Sequence, residues 1–249
     1  MSMRILHIDI ETSPNKVYTW GLFKQNIGLT QVIEPGRMIC FAAKWNGKPK
    51  IIFAKAETLK DTPAMMEVLW ELLDKADVVV HYNGKSFDMK VINREFLMLN
   101  LDPPTPYRQV DLMTVVKSNF RFLSNKLDFV SGQTEIGKKI KHEGFQLWVD
   151  CGNQCQKAWA KMKRYNVQDT RLLEELYYVL LPWIRNHPNA ALYEAADVPT
   201  CRVCAGTDLV KNGVEHSNAA TYQRYKCRDC GSNLQSRTRV QPTQAGVMR

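Results

Sequence analysis

No stretch of the 249-residue chain reaches 18 consecutive apolar residues, so no segment has the length and hydropathy of a membrane-crossing helix. Met1 to Glu11 hold one Arg and a short apolar run that meets two acids. A secretory leader needs a longer apolar core and a small-residue cleavage site, and neither is there. The sequence therefore predicts a cytoplasmic protein, whose seven cysteines are reduced thiols or metal ligands and not disulfides. Internal repeats and low-complexity tracts are also missing, which excludes fibrous and solenoid chains. Beyond Thr200 large aliphatic residues become scarce. A unit that small, with so little apolar material, needs a metal or disulfides to fold.

What is present is ordinary for a globular chain: 45% hydrophobic and 24% charged residues, which excludes wholesale disorder. The length allows one large domain, or one domain plus a small module. Lys and Arg total 34 against 25 Asp and Glu, a net charge of +9. That surplus points to a polyanionic partner without identifying it. It is densest at the end: residues 197–249 hold 8 basic and 4 acidic side chains.

Periodicity divides the chain further. Residues 4–10, Met38–Trp45 and 50–54 read as strands, the last two joined by an Asn46-Gly47-Lys48 hairpin signal. A helix follows, with Thr62 as its cap, Pro63 in its first turn, and an apolar stripe of Met66, Leu69, Trp70 and Leu73. Residues 77–82 make a fourth, nearly all-apolar strand, and a helix over about 86–99 comes next. After a proline-rich loop at 102–106 the pattern is mostly helical, ending in a long helix over about 158–185. Three early strands, a strand–helix unit and then helices predict an α/β layer fold with a mixed sheet.

Four acids stand out by context. Asp9 and Glu11 end the first strand and, two apart, share one face. Two adjacent carboxylates repel unless a cation lies between them, and hard oxygen ligands suit Mg²⁺ or Mn²⁺. A bare Asp-x-Glu also marks a polar strand end meeting water. Asp88 falls in the first helical turn after the strand breaks at Asn83-Gly84, near the strand's C-terminal edge, where sites of α/β folds gather. A helix-dipole acid would sit there too. Tyr165 and Asp169 are one helical turn apart on a shared face, and Leu172, Leu173, Leu176 and Leu180 continue that side inward. A buried Asp needs a cation or donors, and position 172 or 173 offers no Lys or Arg.

The three motifs occur in order, each on the element it needs. Together they resemble the DEDD superfamily of 3′–5′ exonucleases, built on a ribonuclease-H-like fold. Asp9 and Glu11 match its first motif, Asn83 and Asp88 its second, and Tyr165-x-x-x-Asp169 its third. Position 164 is Arg where the alternative form carries His, so the chain resembles the tyrosine subtype. The likeness covers roughly residues 1–185 and takes in Asp111 and the helix start at Asn125-Lys126-Leu127. It implies a ribonuclease-H-like mixed sheet flanked by helices, and two divalent cations about 4 Å apart. By the same resemblance Asp9 bridges both ions, Glu11 and Asp169 complete the nucleophile's site, Asp88 holds the second ion, and Tyr165 orients the attacking water. Asn83 and Lys126 are the implied substrate contacts in this part. Lys117, Arg121, Lys126, Lys138, Lys139 and Lys141 form a loose basic stretch that would border the channel or serve as a solvated face. Trp20, Phe145 and Trp148 could stack on bases or pack in a core.

The cysteines are more specific. Cys201-x-x-Cys204 and Cys227-x-x-Cys230, with 22 residues between the pairs, can grip a structural Zn²⁺ from two sides. Asn212-Gly213 predicts a hairpin turn between them. The segment resembles zinc ribbons found beside transposases and other DNA enzymes. Tyr222, Arg224, Tyr225, Lys226, Arg228, Arg237 and Arg239 interleave aromatic and basic chemistry suited to nucleic acid, with Tyr225 and Arg228 as candidate contacts. A ribbon making protein contacts is the other reading. Cys40 reads as core. Cys151 and Cys155, near His142, read as structural or surface residues.

The organisation expected is a nuclease domain over 1–186, a linker over 187–199, a zinc ribbon over 200–240 and a tail over 241–249. The function expected is metal-dependent 3′–5′ exonucleolysis of DNA, favoured single-stranded. A polymerase or other replication or repair protein is a conceivable partner. An exoribonuclease, and a non-catalytic nucleic-acid-binding adaptor led by the ribbon, are the alternatives.

Overall fold

The computed structural model describes residues 2–140, 143–194, 198–218 and 220–240. Lys141 and His142, residues 195–197 of the expected linker, and the tail 241–249 lie outside the described residues. The chain forms two compact units. One is Arg4–Lys117 with Arg121–Leu176; the other is Met1–Met3, Ser118–Phe120 and Tyr177–Arg249.

The larger unit is an α/β layer fold. Its strands β1 (Ile5–Thr12), β2 (Lys16–Val17), β3 (Val32–Glu34), β4 (Met38–Trp45), β5 (Ile51–Lys55), β6 (Val78–His81) and β7 (Arg108–Asp111) are interleaved with helices α1 (Thr62–Asp74) and α2 (Asp88–Met98). Then come α3 (Leu112–Asn119), α4 (Leu127–Gln133), α5 (Gln146–Gly152) and α6 (Gln156–Leu180). Five strands make one mixed sheet in the order β5-β4-β1-β6-β7. β1 runs antiparallel to β4 and parallel to β6, and β6 is parallel to β7. The fully buried Val78–His81 run is what a parallel strand covered on both faces demands.

The period of two in β1 decides where the chemistry lies. Leu6, Ile8 and Ile10 join Met66, Leu69 and Leu73 of α1 and Ile92 of α2 in one core. His7, Asp9 and Glu11 therefore project from the opposite face. Against that side Ile39 and Cys40 pack with Leu147 of α5 and Trp159, Met162 and Tyr165 of α6. A polar stripe at helical spacing fixes how α6 seats. Asn166 donates to the Asp9 carbonyl at 3.2 Å, Thr170 Oγ1 to the Ala42 carbonyl at 3.3 Å, and Glu174 pairs with the buried Lys44.

Three local expectations change. Thr62 does not cap α1: residues Leu59–Asp61 form a 3₁₀ turn, Thr62 is already helical, and Asp61 holds the N-cap position without a side-chain bond to the helix. Asp61 Oδ2 instead accepts from the Thr58 N–H and hydroxyl, each at 2.8 Å. The long helix stops at Leu180, and Leu181–Trp183 tightens to 3₁₀, because Pro182 lacks a donor and disfavours α geometry before it.

In the smaller unit β8 (Leu209–His216), β9 (Thr221–Cys227) and β10 (Asn233–Arg239) form a three-stranded antiparallel sheet in the order β10-β9-β8. Asn212-Gly213 is not its hairpin turn. Gly213, at φ +70°, lies inside β8 where the register shifts between Lys211 and Val214. This is the left-handed residue a bulge requires. The strand reversal comes later, where the Ser217 N–H donates to the Ala220 carbonyl at 2.8 Å.

Candidate active site and metal centre

β1, the start of α2 and the middle of α6 bring Asp9, Glu11, Asp88, Tyr165 and Asp169 into electrostatic reach of one another. The carboxyl of Asp9 is raised well above its ordinary value by burial, then by Asp169, Glu11 and Asp88. Glu11 is pushed up to about 7, by burial and then by Asp169. Asp88 rises to about 6 by burial, with backbone N–H groups of Asp88 itself and of Ile10 pulling the other way. Asp169 is also raised by burial, against the pull of Lys139 and of hydrogen bonds from Lys139 and Tyr165.

Each acid has donors from this chain. Asn166 Nδ2 donates to Asp9 Oδ2 at 2.6 Å. Trp148 Nε1 donates to Glu11 Oε2 at 3.1 Å. Lys139 Nζ pairs with Asp169 Oδ2 and donates to the Tyr165 hydroxyl at 3.2 Å. That leaves Oδ1 of Asp169, a residue only 1% exposed, with no hydrogen-bond partner. An unsatisfied buried carboxylate oxygen among other acids has the chemistry of a cation ligand. No three of these acids, however, bring an oxygen each within 4.8 Å of one another.

The second-motif turn is built by Asn83 together with residues outside the expected site, Asp111, Lys85, Ser86, Gly84 and His81. Asn83 adopts φ +67°, and its N–H donates to Asp111 Oδ1 at 2.9 Å while Lys85 N–H reaches Oδ2 at 3.3 Å. Asn83 Oδ1 accepts from the Ser86 hydroxyl at 2.8 Å. Gly84 packs so closely on His81 that a Cβ there would lie 2.5 Å from the ring. These contacts fix where α2, and so Asp88, begins.

The other expected residues scatter. Lys126 is exposed at the start of α4, as are Lys117, Arg121 and Lys138. Lys139 alone of the described basic stretch turns into the acid group, supplying the cation that Asp169 lacks along its own helix. Trp148 faces Glu11, whereas Trp20 and Phe145 are exposed. Asn166 is a site partner outside the expected set, and Lys139, expected only as one member of the loose basic stretch, pairs with Asp169. Asn166 sits inside the quoted third motif, and its spacing with Thr170 and Glu174 was the available signal. Nothing local marks Lys139, 30 residues from Asp169.

The cysteines do converge. Cys201, Cys204, Cys227 and Cys230 place their sulfurs within 4.8 Å of one another, the one such group of metal-capable side chains among the described residues. Cys201 and Cys230 lie 3.7 Å apart, as do Cys204 and Cys227. Val203 and Gly206 N–H groups donate to Cys201 and Cys204 at 3.4 Å each. Four sulfurs with backbone donors behind them fit a closed, zinc-type site. Gly231, at φ +75°, donates its N–H to the Cys227 carbonyl at 3.0 Å and closes the second knuckle. On β9, Tyr222, Arg224 and Lys226 share one face and Tyr225 falls on the other, with Cys227. Arg228 is exposed just beyond. Cys40 and Cys151 are buried; Cys155 is exposed.

A mixed five-stranded sheet with helices on both faces, and acids gathered on its central strand and the helices beside it, defines a ribonuclease-H-like nuclease domain, here followed by a four-cysteine cluster. Residues 6–181 match the family model RNase_H_2, of the RNase H superfamily, and the chain belongs to that family. Among solved structures it is similar to the family B DNA polymerase from the hyperthermophilic archaeon Pyrobaculum calidifontis, with a TM-score of 0.53 and 17% identity. That match covers 72% of this chain and 25% of the polymerase, so the chain spans about a quarter of its length, and the likeness is one of fold. No curated protein matches the chain in sequence. Among the described residues no helix is long and apolar enough to cross a membrane.

Proposed function

We propose that this member of the RNase H superfamily is a metal-dependent 3′–5′ exonuclease of DNA, with single strands the favoured substrate. The observation that carries the reading is the unpartnered Oδ1 of buried Asp169, in a group of acids whose pKa values are all raised. Asp9, Glu11, Asp88 and Asp169 would hold Mg²⁺ or Mn²⁺. Two such ions, when bound, would polarise the scissile phosphate and acidify a water.

The chain's own residues prepare that site. Asn166, Trp148 and Lys139 each hold one carboxylate oxygen, which fixes the orientation of the remaining one. The Tyr165 phenol is pushed up from its usual value by burial and by Asp169. It therefore stays protonated at neutral pH and can orient a water but not deprotonate it. Asn83 and Lys126 would contact the strand in this unit. Tyr225 and Arg228 would contact it in the ribbon, which would fold around Zn²⁺.

The test is to incubate the chain and Mn²⁺ with 5′-labelled single-stranded and duplex DNA and RNA. A ladder shortening from the 3′ end, strongest on single-stranded DNA, is the expected result. One discrete internal cut would remove the exonuclease assignment. Asp169→Asn should lower the rate by about 10²–10³-fold or more while the far-UV circular dichroism spectrum still shows the native fold.

A further inference from the structure

Residues 13–37 leave β1 just beyond Glu11 and come back to the same place. Thr12 pairs with Met38, and the Ser13 N–H donates to the Arg37 carbonyl at 2.8 Å. Between these ends the excursion is closed on itself. β2 pairs with β3, and Lys16 bonds Glu34 at 2.6 Å. The Tyr18 N–H donates to the Gln31 carbonyl at 2.9 Å, and the Gln31 amide donates to the Tyr18 carbonyl at 3.0 Å and takes the Gly28 N–H at 2.8 Å.

This tied structure turns its apolar side chains outward. Trp20 is fully exposed, and Tyr18, Leu22, Phe23 and Leu29 are each more than 70% exposed. Single exposed hydrophobes are ordinary on a protein surface, but five within residues 18–29 mark an interaction surface. Charge narrows the occupant. The apolar surface itself, residues 18–29, contains Lys24 and no Asp or Glu, while Lys16 at its root is paired with Glu34, so no unpaired acid of the excursion opposes a phosphate backbone. Flat aromatic faces with cations and no acids match the chemistry that holds unpaired bases. In a duplex those bases are stacked on each other already.

We propose that residues 18–29 form a stacking platform that holds the bases of a single-stranded nucleic acid beside the carboxylate group, with Trp20 and Phe23 as its main stacking residues. The inference rests on the nuclease reading and adds to it a place for the strand outside the reacting bond. The excursion that carries the platform is tied at its root by Ser13, two residues beyond Glu11, to Arg37, so a strand lying on it can continue from that root to the acids.

The test measures binding of the zinc-loaded full chain, without added Mg²⁺ or Mn²⁺, to fluorescein-labelled (dT)12. A second probe of the same length has abasic residues at its last four 3′ positions. The chain should bind the intact probe about 10- to 100-fold more tightly, and Trp20→Ala combined with Phe23→Ala should remove that difference. Equal affinity for the two probes, or a difference that survives both substitutions, overturns the platform. So does a dimer that the substitutions convert to monomer with oligonucleotide affinity unchanged, since a second copy would then occupy the face. Hydrolysis of the p-nitrophenyl ester of thymidine 5′-monophosphate by the unsubstituted chain with Mn²⁺ reports on the acids separately. That ester offers the bond without neighbouring bases, so a failed platform and a failed nuclease give different results.

Discussion

Asp169 concentrates the chemistry at the scale of single residues. It is buried, one oxygen is held by Lys139, and the other has no partner. Lys139 thus stands where a divalent cation would compete for the same carboxylate. Replacing it by Met leaves a buried acid without its cation, which costs about 2 kcal/mol in a pair with one partly exposed member. Lys139→Met should accordingly lower the Tm of the metal-free chain. Mn²⁺ should restore the loss and bind more tightly than to the unsubstituted protein, as read by calorimetry of Mn²⁺ binding and thermal melts. A Tm that neither falls nor responds to Mn²⁺ would show that Lys139 does not neutralise this site.

At the scale of elements, the second motif shows how a turn places one of the clustered acids. Asp111 binds the N–H groups of Asn83 and Lys85, and Gly84 lies against His81. Gly84→Ala drives a methyl into that ring. Because the ring is buried it has little room to yield, and the substitution should destabilise the chain by about 2 kcal/mol, measurable by denaturant unfolding. Asp88 begins α2 at the end of this turn, so activity should fall along with stability. The proposed zinc would support the three-stranded unit in the same local way. β8–β10 hold few buried apolar side chains, so Cys204→Ser should release about one zinc per chain. Amide protection should then be lost in β8 and β9.

For the whole molecule the response to pH sets buried acids, raised by burial, against buried His7, His81 and His187, lowered by burial, His7 to about 4. Glu11 rises from 4.5 to about 7 and Asp88 from 3.8 to about 6. Between the unfolded and folded values these acids bind more protons in the folded chain than in the unfolded one, so their share of the stability falls as pH rises through that window. The acids' share is read as the difference between the metal-free chain and a Glu11→Gln, Asp88→Asn variant: the Tm advantage of the unsubstituted chain should shrink between about pH 4.5 and pH 7, and added Mn²⁺ should flatten that change, because binding requires the deprotonated acids. A Tm difference between the two chains that does not change across this range would contradict the crowding of acids described above.

Much of this was written locally. Period two in β1 put Asp9 and Glu11 on one face, period 3.6 in α6 aligned Tyr165 with Asp169, and two Cys-x-x-Cys pairs announced a tetrahedral sulfur site. Such patterns are legible because they span only a few residues of regular backbone. Local chemistry also misled, as with Thr62 as cap and Asn212-Gly213 as turn. Either residue type suits either role, and only the neighbouring chain decides between them. The sequence by itself determined the α/β order of elements, which acids share a face of β1 and the cysteine cluster. Tertiary structure alone decided that Lys139 reaches Asp169, that Trp148 holds Glu11, and that the segment after Glu11 projects its aromatics outward. Those contacts join residues tens of positions or more apart, or depend on which surfaces other elements leave uncovered, and no periodicity within one segment encodes either.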